Sequence, residues 1–197
     1  MTQDLLSGLI AYAFVTSVTP GPNNLMLMAS GANFGFRRTL PHLLGVSLGF
    51  VFLAAVLGAG LVQLFIAVPA SYLVLKVLSV IYMGWLAWKI ATAVAPDPTR
   101  GSGTPLTFLQ ACLFQWVNPK AIAMALTALT NFAPGQTLSA SLLAAAVFGM
   151  VNLPSVGCWV IAGQQMRRLL HNRTRLRAFN ITMALLLLGS LYPVLYR

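Results

Sequence analysis

The sequence predicts an all-α integral membrane protein with six transmembrane helices, and three observations support this fold class. Of the 197 residues, 58% are hydrophobic and only 7% are charged, whereas soluble domains carry roughly 25% charged residues. The mean hydropathy of +0.83 excludes a disordered chain, because disorder needs low hydrophobicity and high charge. The apolar residues also fall into six runs, each long enough for a membrane-spanning helix that satisfies its own backbone groups.

The six apolar runs divide the chain into two halves. The runs cover residues 5–32, 43–68, 71–94, 106–132, 138–162 and 178–196. We expect a single transmembrane domain over residues 1–197, in which a Pro- and Gly-rich linker, 95–105, separates residues 1–94 from residues 106–197. Each half holds three spans, so the halves would have opposite orientations, as in an inverted repeat. A Pro-Asn motif in the first run and an Asn-Pro motif in the fourth support the repeat.

The positions of the cations predict the orientation in the membrane. Arg37 and Arg38 lie in the first connection, Arg100 in the third, and five arginines between residues 167 and 177 in the fifth. The second and fourth connections contain no Lys or Arg. Because short cytoplasmic loops are rich in Lys and Arg, the odd-numbered connections should be cytoplasmic and both termini extracytoplasmic. Topology and contact with anionic lipid then account for the net charge of +10, and no nucleic-acid partner is expected.

The scarcity of acids and cysteines limits the chemistry that the chain can perform. Asp4 and Asp97 are the only acids, and both lie outside the apolar runs, so the spans lack the carboxylates that relay protons in many pumps. Cys112 and Cys158 lie within apolar runs, where cysteine behaves as a small hydrophobe. The chain also lacks HExxH and GxSxG motifs. We therefore expect no enzymatic activity, no catalytic residue, no metal site and no cofactor.

The motif Pro20-Gly21-Pro22-Asn23-Asn24 predicts a break in the first span. Each proline lacks an N–H group and clashes with the preceding turn, and the glycine between them adds freedom. The break falls near the middle of the run, where irregular backbone is tolerated only inside protein or beside a wet cavity. Free N–H groups of the second half-helix and the amides of Asn23 and Asn24 would then face a substrate. A simple proline kink without a site is the alternative.

The motif around Asn118-Pro119-Lys120 predicts a second break, at the centre of the fourth run. Lys120 would lie about 13 residues, or about 20 Å, from either end of its span. Its side chain cannot reach water over that distance, and a cation held there costs at least about 2.5–3.5 kcal/mol. Since the spans contain no carboxylate, a transported carboxylate is a natural partner for this ammonium group. The alternative is a re-entrant hairpin with Lys120 at an interface.

Together the two breaks predict one substrate-binding site. Lys120 and the N-termini of the half-helices would attract a carboxylate. Unpaired carbonyl groups and the side chains of Asn23, Asn24, Gln115 and Asn118 would accept hydrogen bonds from an ammonium group. This pattern favours a zwitterionic amino acid as the substrate of a secondary transporter. The alternatives are an exporter of another small solute or of a metal cation, and a membrane subunit that does not transport.

Three further features have smaller predicted roles. His42 adjoins a predicted helix start, where a capping or headgroup contact is expected. Gly45 and Gly49 form a GxxxG pattern for close helix packing, within one subunit or in a homodimer. Asn152 and Pro154 are expected to bend the fifth span beside the site.

These motifs resemble those of the LysE/RhtB family of bacterial amino-acid exporters. The segment 19–23, Thr-Pro-Gly-Pro-Asn, followed by Gly-Phe-Arg-Arg at 35–38, is similar to the family's N-terminal signature. Segments 82–89 and 115–120 resemble its third- and fourth-helix motifs, and the resemblance covers essentially the whole chain. It implies six spans and proton-motive-force-linked export across the bacterial inner membrane.

Finer features resemble the cysteine/O-acetylserine exporter branch of this family most. They include Cys158 and Trp159 in the fifth run and the segment 86–92, Leu-Ala-Trp-Lys-Ile-Ala-Thr. One departure is that Val156 and Gly157 stand where an asparagine is expected in that branch. The resemblance therefore implies small neutral amino acids or derivatives as substrates, either cysteine/O-acetylserine-like or homoserine/threonine-like.

Overall fold

The architecture is described from a computed structural model. The structure describes residues 1–61, 70–93, 104–167, 169–170 and 172–192, which form eight α-helices and no strand. The helices are α1 (Gln3–Val18), α2 (Pro22–Phe34), α3 (Phe36–Val56), α4 (Ala70–Ala91), α5 (Phe108–Val117), α6 (Pro119–Phe132), α7 (Leu138–Arg167) and α8 (Arg173–Gly189). A π-helical turn, Leu57–Leu61, continues α3. Apart from residues 104 and 105, the predicted linker lies outside the described residues.

One helix ends and the next begins at each of the two predicted breaks. The first apolar run consists of α1 and α2, which are bent by 55° relative to each other, and the fourth consists of α5 and α6. Among the described residues, Phe36–Leu61 and Leu138–Arg167 are each long and apolar enough to cross a membrane, and the bent α1–α2 pair would be a third span if it crosses as one. The six-span inverted repeat remains a prediction.

Two helices begin earlier than the hydropathy pattern predicts. Gly35 has φ +78°, a conformation that favours glycine, and α3 starts directly after it at Phe36. Asn172 caps α8 by accepting a hydrogen bond from the N–H group of Thr174 at 2.8 Å. Charged residues can continue a helix beyond its apolar part, so the apolar runs underestimate the lengths of α3 and α8. His42 consequently lies inside α3 and is 1% exposed, and the capping or headgroup role expected for it is wrong.

The bundle has two main apolar cores, and α2 has ten of its 13 residues buried. The first core joins α1, α3, α6 and α7 around Phe50 and Phe148, whose ring centroids are 4.4 Å apart. The second core joins α4, α5 and α8 to α2 around Met26, Met83 and Phe114. The half-helix that follows the first break is therefore held inside the bundle.

Glycines allow the closest helix contacts. A Cβ atom at Gly31 of α2 would lie 2.2 Å from the carbonyl oxygen of Val160 in α7, and one at Gly163 of α7 would lie 2.0 Å from that of Met28 in α2. Gly45 and Gly49 of α3 similarly contact the backbone of α5. The GxxxG pattern therefore serves packing within the subunit and gives no support to a homodimer.

Gly163→Ala should destabilise the protein strongly, because its methyl group would overlap a rigid backbone carbonyl. Overpacking of this kind costs typically about 1–3 kcal/mol. Gly84→Ala in α4 is the matched control, since a Cβ there has no neighbour within 4 Å among the described atoms. Replacing a helical glycine by alanine should stabilise that variant by roughly 0.5–1 kcal/mol. Thermal unfolding of the detergent-extracted variants measures both effects, and equal midpoints would contradict the packing argument.

Candidate functional site

The two helix breaks meet through Lys120. Its ammonium Nζ donates a hydrogen bond of 2.6 Å to the carbonyl oxygen of Thr19, at the end of α1. The side chain passes directly over Gly21, where a Cβ atom would lie 2.7 Å from Cδ and 3.0 Å from Nζ of the lysine. Glycine between the two prolines therefore makes room for the cation, and the ammonium group reaches the first break from the second.

A pair of amides forms a second connection between the breaks. Nδ2 of Asn23 donates to Oε1 of Gln115 at 2.8 Å, and Nε2 of Gln115 donates to Oδ1 of Asn23 at 3.2 Å. Gln115 is fully buried and also donates to the carbonyl oxygen of Ala111 at 2.8 Å. This reciprocal pair fixes the start of α2 against the end of α5.

The carbonyl groups of Ser17, Val18 and Thr19, at the first break, have protein partners. Nδ2 of Asn24 donates to the carbonyl oxygens of Ser17 and Thr19, at 2.7 and 2.9 Å. The indole Nε1 of Trp159 donates to that of Val18 at 3.2 Å. The expectation of unpaired carbonyl groups is therefore wrong for these three residues, because side chains from α2 and α7 donate to them in place of helical N–H groups.

Asn118 has a structural role at the second break. It lies at the N-cap of α6, where its Oδ1 accepts a hydrogen bond of 3.1 Å from the backbone N–H group of Lys120. Pro119 takes the first helical position, where a missing N–H group costs nothing. On the other side of the break, the hydroxyl of Ser79 in α4 donates to the carbonyl oxygen of Val117. Both sides of this break thus have partners as well.

A small polar cavity lies between the two breaks. Its volume is about 20 Å³, enough for one water molecule but not for an amino acid. Four of the five residues predicted to bind substrate line it, and the fifth, Gln115, is hydrogen-bonded to one of them. The polar residues in its wall are Thr16, Ser17, Asn23, Asn24, Asn118, Lys120 and Asn152.

Asn152 of α7, which the sequence placed beside the site only as part of a bend, lines the cavity itself. It is 4% exposed, and its Nδ2 donates to Oγ of Ser17 at 2.9 Å. Its Oδ1 is buried without a hydrogen-bond partner among the described residues. Buried polar atoms are nearly always paired, so an unpaired acceptor in a cavity wall indicates a position for a donor. An asparagine in the middle of an apolar run, two residues before Pro154, was the available signal.

The electrostatics of the cavity suit a solute that carries both charges. Lys120 supplies a cation and Oδ1 of Asn152 supplies an acceptor, and no Asp or Glu is among the described residues that line the cavity. Within the described part of the chain, no group of three or more His, Cys, Asp or Glu residues could hold a metal ion. A polar cavity at two crossing helix breaks is where membrane transporters bind solutes. The fold and this site therefore indicate a membrane transporter.

Comparison with known proteins gives the family of this transporter. The family model described as LysE type translocator matches residues 14–191, and the chain belongs to this family. Proteins named cysteine/O-acetylserine efflux protein, from Escherichia coli strains E24377A and K12 and from Shigella sonnei strain Ss046, are 34% identical to it over 201 aligned positions. The alignments cover 100% of this chain and of each relative. No solved structure matches the chain.

Proposed function

We propose that the protein is a secondary transporter that exports small neutral amino acids or their derivatives across the bacterial inner membrane, driven by the proton motive force. Its substrates would be cysteine/O-acetylserine-like or homoserine/threonine-like. The observation that carries the proposal is the central cavity, which brings the ammonium group of Lys120 and the unpaired Oδ1 of Asn152 to one small space. The names of the full-length relatives support the same class of substrate.

The two groups fit the two ends of an amino acid. The substrate carboxylate would replace the carbonyl oxygen of Thr19 as the acceptor for Lys120, and the substrate ammonium would donate to Asn152. The apolar part of the wall, which includes Val46, Phe50 and Val156, would contact a short neutral side chain. A metal cation fits this site less well, because it would face the charge of Lys120 without an anionic ligand in the cavity wall.

Binding requires the cavity to open, because its present volume holds a single water molecule. The hydrogen bond from Lys120 to Thr19 and the amide pair between Asn23 and Gln115 close it. Substrate would exchange for these contacts when α2 moves relative to α6. An alternating-access cycle then follows from rocking one three-helix repeat, residues 1–94, against the other, residues 106–197.

Efflux from proteoliposomes tests the proposal. Vesicles loaded with radiolabelled O-acetyl-L-serine should lose it through the wild-type protein, and faster when a pH gradient is imposed. Asn152→Leu should reduce the apparent affinity about tenfold or more, since the substrate ammonium loses a charge-assisted hydrogen bond worth roughly 1.5–3 kcal/mol. Ser155→Ala is the matched control, because its hydroxyl bonds only within α7, to the carbonyl oxygen of Val151. Retention of the amino acid by wild-type vesicles would refute export.

Orientation is tested by cysteine labelling of a variant in which Cys112 and Cys158 are replaced by alanine. A cysteine at position 100 or 173 should react with an impermeant maleimide only after the cytoplasmic face is opened. A cysteine added at either terminus should react in intact cells. The reason is the concentration of Lys and Arg in the odd-numbered connections. Termini that react only in opened cells would overturn the predicted topology, and termini on opposite sides of the membrane would overturn the inverted repeat.

A further inference from the structure

A second and larger cavity lies beside the C-terminal half of α2. Its volume is about 290 Å³, room for several water molecules or a small organic solute. Met26, Ser30 and Phe34 form its wall on α2, and His42 of α3 and Lys89 of α4 lie across from them. These residues are separate from those lining the central cavity.

His42 is the unexplained group in this cavity. Its side chain is 1% exposed, and neither ring nitrogen has a hydrogen-bond partner among the described residues. A buried polar group left unpaired costs about 1–3 kcal/mol. An imidazole has at least one N–H donor in every protonation state, so a solute that occupies the cavity could accept from it.

Other buried polar groups in or beside this cavity have hydrogen-bond partners. His42 differs from them because its ring nitrogens have none among the described residues. Nδ2 of Asn33 donates to Oδ1 of Asn180 in α8 at 2.8 Å, and Nδ2 of Asn180 returns a bond of 3.1 Å. Asn180 also donates to the carbonyl oxygen of Ala93 at 3.0 Å. These amides hold α2, α8 and the end of α4 together and so fix the frame of the cavity. Ser30 is likewise bonded to Thr39, with 2.9 Å between the hydroxyl oxygens.

The charge of the cavity indicates the class of solute. Lys89 contributes an ammonium group, 5.3 Å from the centroid of the Trp85 ring. No Asp or Glu is among the described residues that line the cavity. Met26, Phe34 and Leu86 make much of the remaining wall apolar. A cationic and donor-rich end with an apolar remainder fits a small carboxylate.

We propose that this cavity is a second solute site, which binds a small carboxylate through Lys89 and His42. The carboxylate oxygens would accept from the ammonium group of Lys89 and from a ring N–H group of His42, and the apolar walls would contact the rest of the solute. Asn23 at the central cavity and Ser30 at this one lie on the same half-helix, about 10 Å apart along its axis. If the solute is the transported amino acid, the second cavity is an additional binding site on its path through the protein. This identification of the solute rests on the proposed function.

Histidine NMR provides a direct test. The chain has only two histidines, His42 and His171, so a His171→Gln variant assigns the ring signals of His42. The full-length protein, labelled with ¹⁵N-histidine in lipid nanodiscs, is titrated with acetate, with O-acetyl-L-serine and with methylammonium. Both carboxylates should shift the His42 signals in a saturable manner, and methylammonium should not. Tighter binding of O-acetyl-L-serine than of acetate would identify the transported amino acid as the occupant, and equal binding would identify a general carboxylate site.

Two variants separate this site from the central one. Lys89→Met should weaken carboxylate binding about tenfold to a hundredfold, as expected for a lost charge-assisted contact. Lys120→Met should leave the His42 titration unchanged, because Lys120 does not line the second cavity. Absent shifts with both carboxylates, an unchanged affinity in Lys89→Met, or a lost response in Lys120→Met would each overturn the proposal. A normal His42 titration in a protein that fails to export O-acetyl-L-serine would refute the proposed function and leave the second site standing.

Discussion

Lys120→Met should abolish solute efflux while the yield of folded protein stays the same or rises. Methionine keeps the length of the side chain and removes a cation whose burial in the membrane costs at least about 2.5–3.5 kcal/mol. The proposed contact with the substrate carboxylate would be worth roughly 1.5–3 kcal/mol, or one to two decades in affinity. Efflux assays on proteoliposomes, with the monodispersity of the detergent-extracted protein measured in parallel, separate transport from folding.

Two companion variants show what the lysine does. Lys120→Arg should restore little transport, because a planar guanidinium cannot replace the compact ammonium above Gly21. Gly21→Ala keeps the charge, but its methyl group would displace the lysine side chain from the carbonyl oxygen of Thr19. Since the backbone at Gly21 is extended, with φ −168°, alanine fits there without strain, and efflux should fall in a folded protein. A fully active Lys120→Met protein, or one that fails to fold and is rescued by arginine, would contradict a substrate-binding role.

The double replacement Pro20→Ala and Pro22→Ala should produce a second large loss of transport. Alanine restores two N–H groups and removes two helix-breaking rings, each of which disfavours a helix interior by about 3 kcal/mol. A straighter helix would carry the carbonyl oxygen of Thr19 away from Lys120 and separate Asn23 from Gln115. We therefore expect normal membrane insertion and no measurable efflux from loaded vesicles.

Pro41→Ala is the control for this double variant. Pro41 lies inside α3, which continues past it without a break, and its side chain is exposed. Its replacement should leave efflux at the wild-type rate. Unchanged efflux in the double variant would reduce the first break to a proline kink, whereas equal losses in both proteins would point to a general effect of the substitutions on the membrane-inserted fold.

The sequence by itself determined the features that depend on local chemistry. Prolines at 20, 22 and 119 predicted both helix breaks, because a missing N–H group and a ring clash act on the nearest turn whatever surrounds it. Apolar runs predicted where helices occur, and the motifs around the breaks predicted the family. The sequence also predicted that the polar residues at the two breaks lie near one another, because two breaks at the middle of their runs place these side chains at a similar depth. These residues are Asn23, Asn24, Gln115, Asn118 and Lys120.

Only the tertiary structure decided which groups pair across the bundle. Asn152 bonds to Ser17, 135 positions away, and Asn180 bonds to Asn33, 147 positions away. The tertiary structure also placed His42 in the wall of a cavity, without a hydrogen-bond partner among the described residues. Hydropathy and periodicity report how apolar a helix face is, but they do not report which helix lies against it. That choice depends on backbone contacts such as those at Gly31 and Gly163, which set how closely α2 and α7 approach each other.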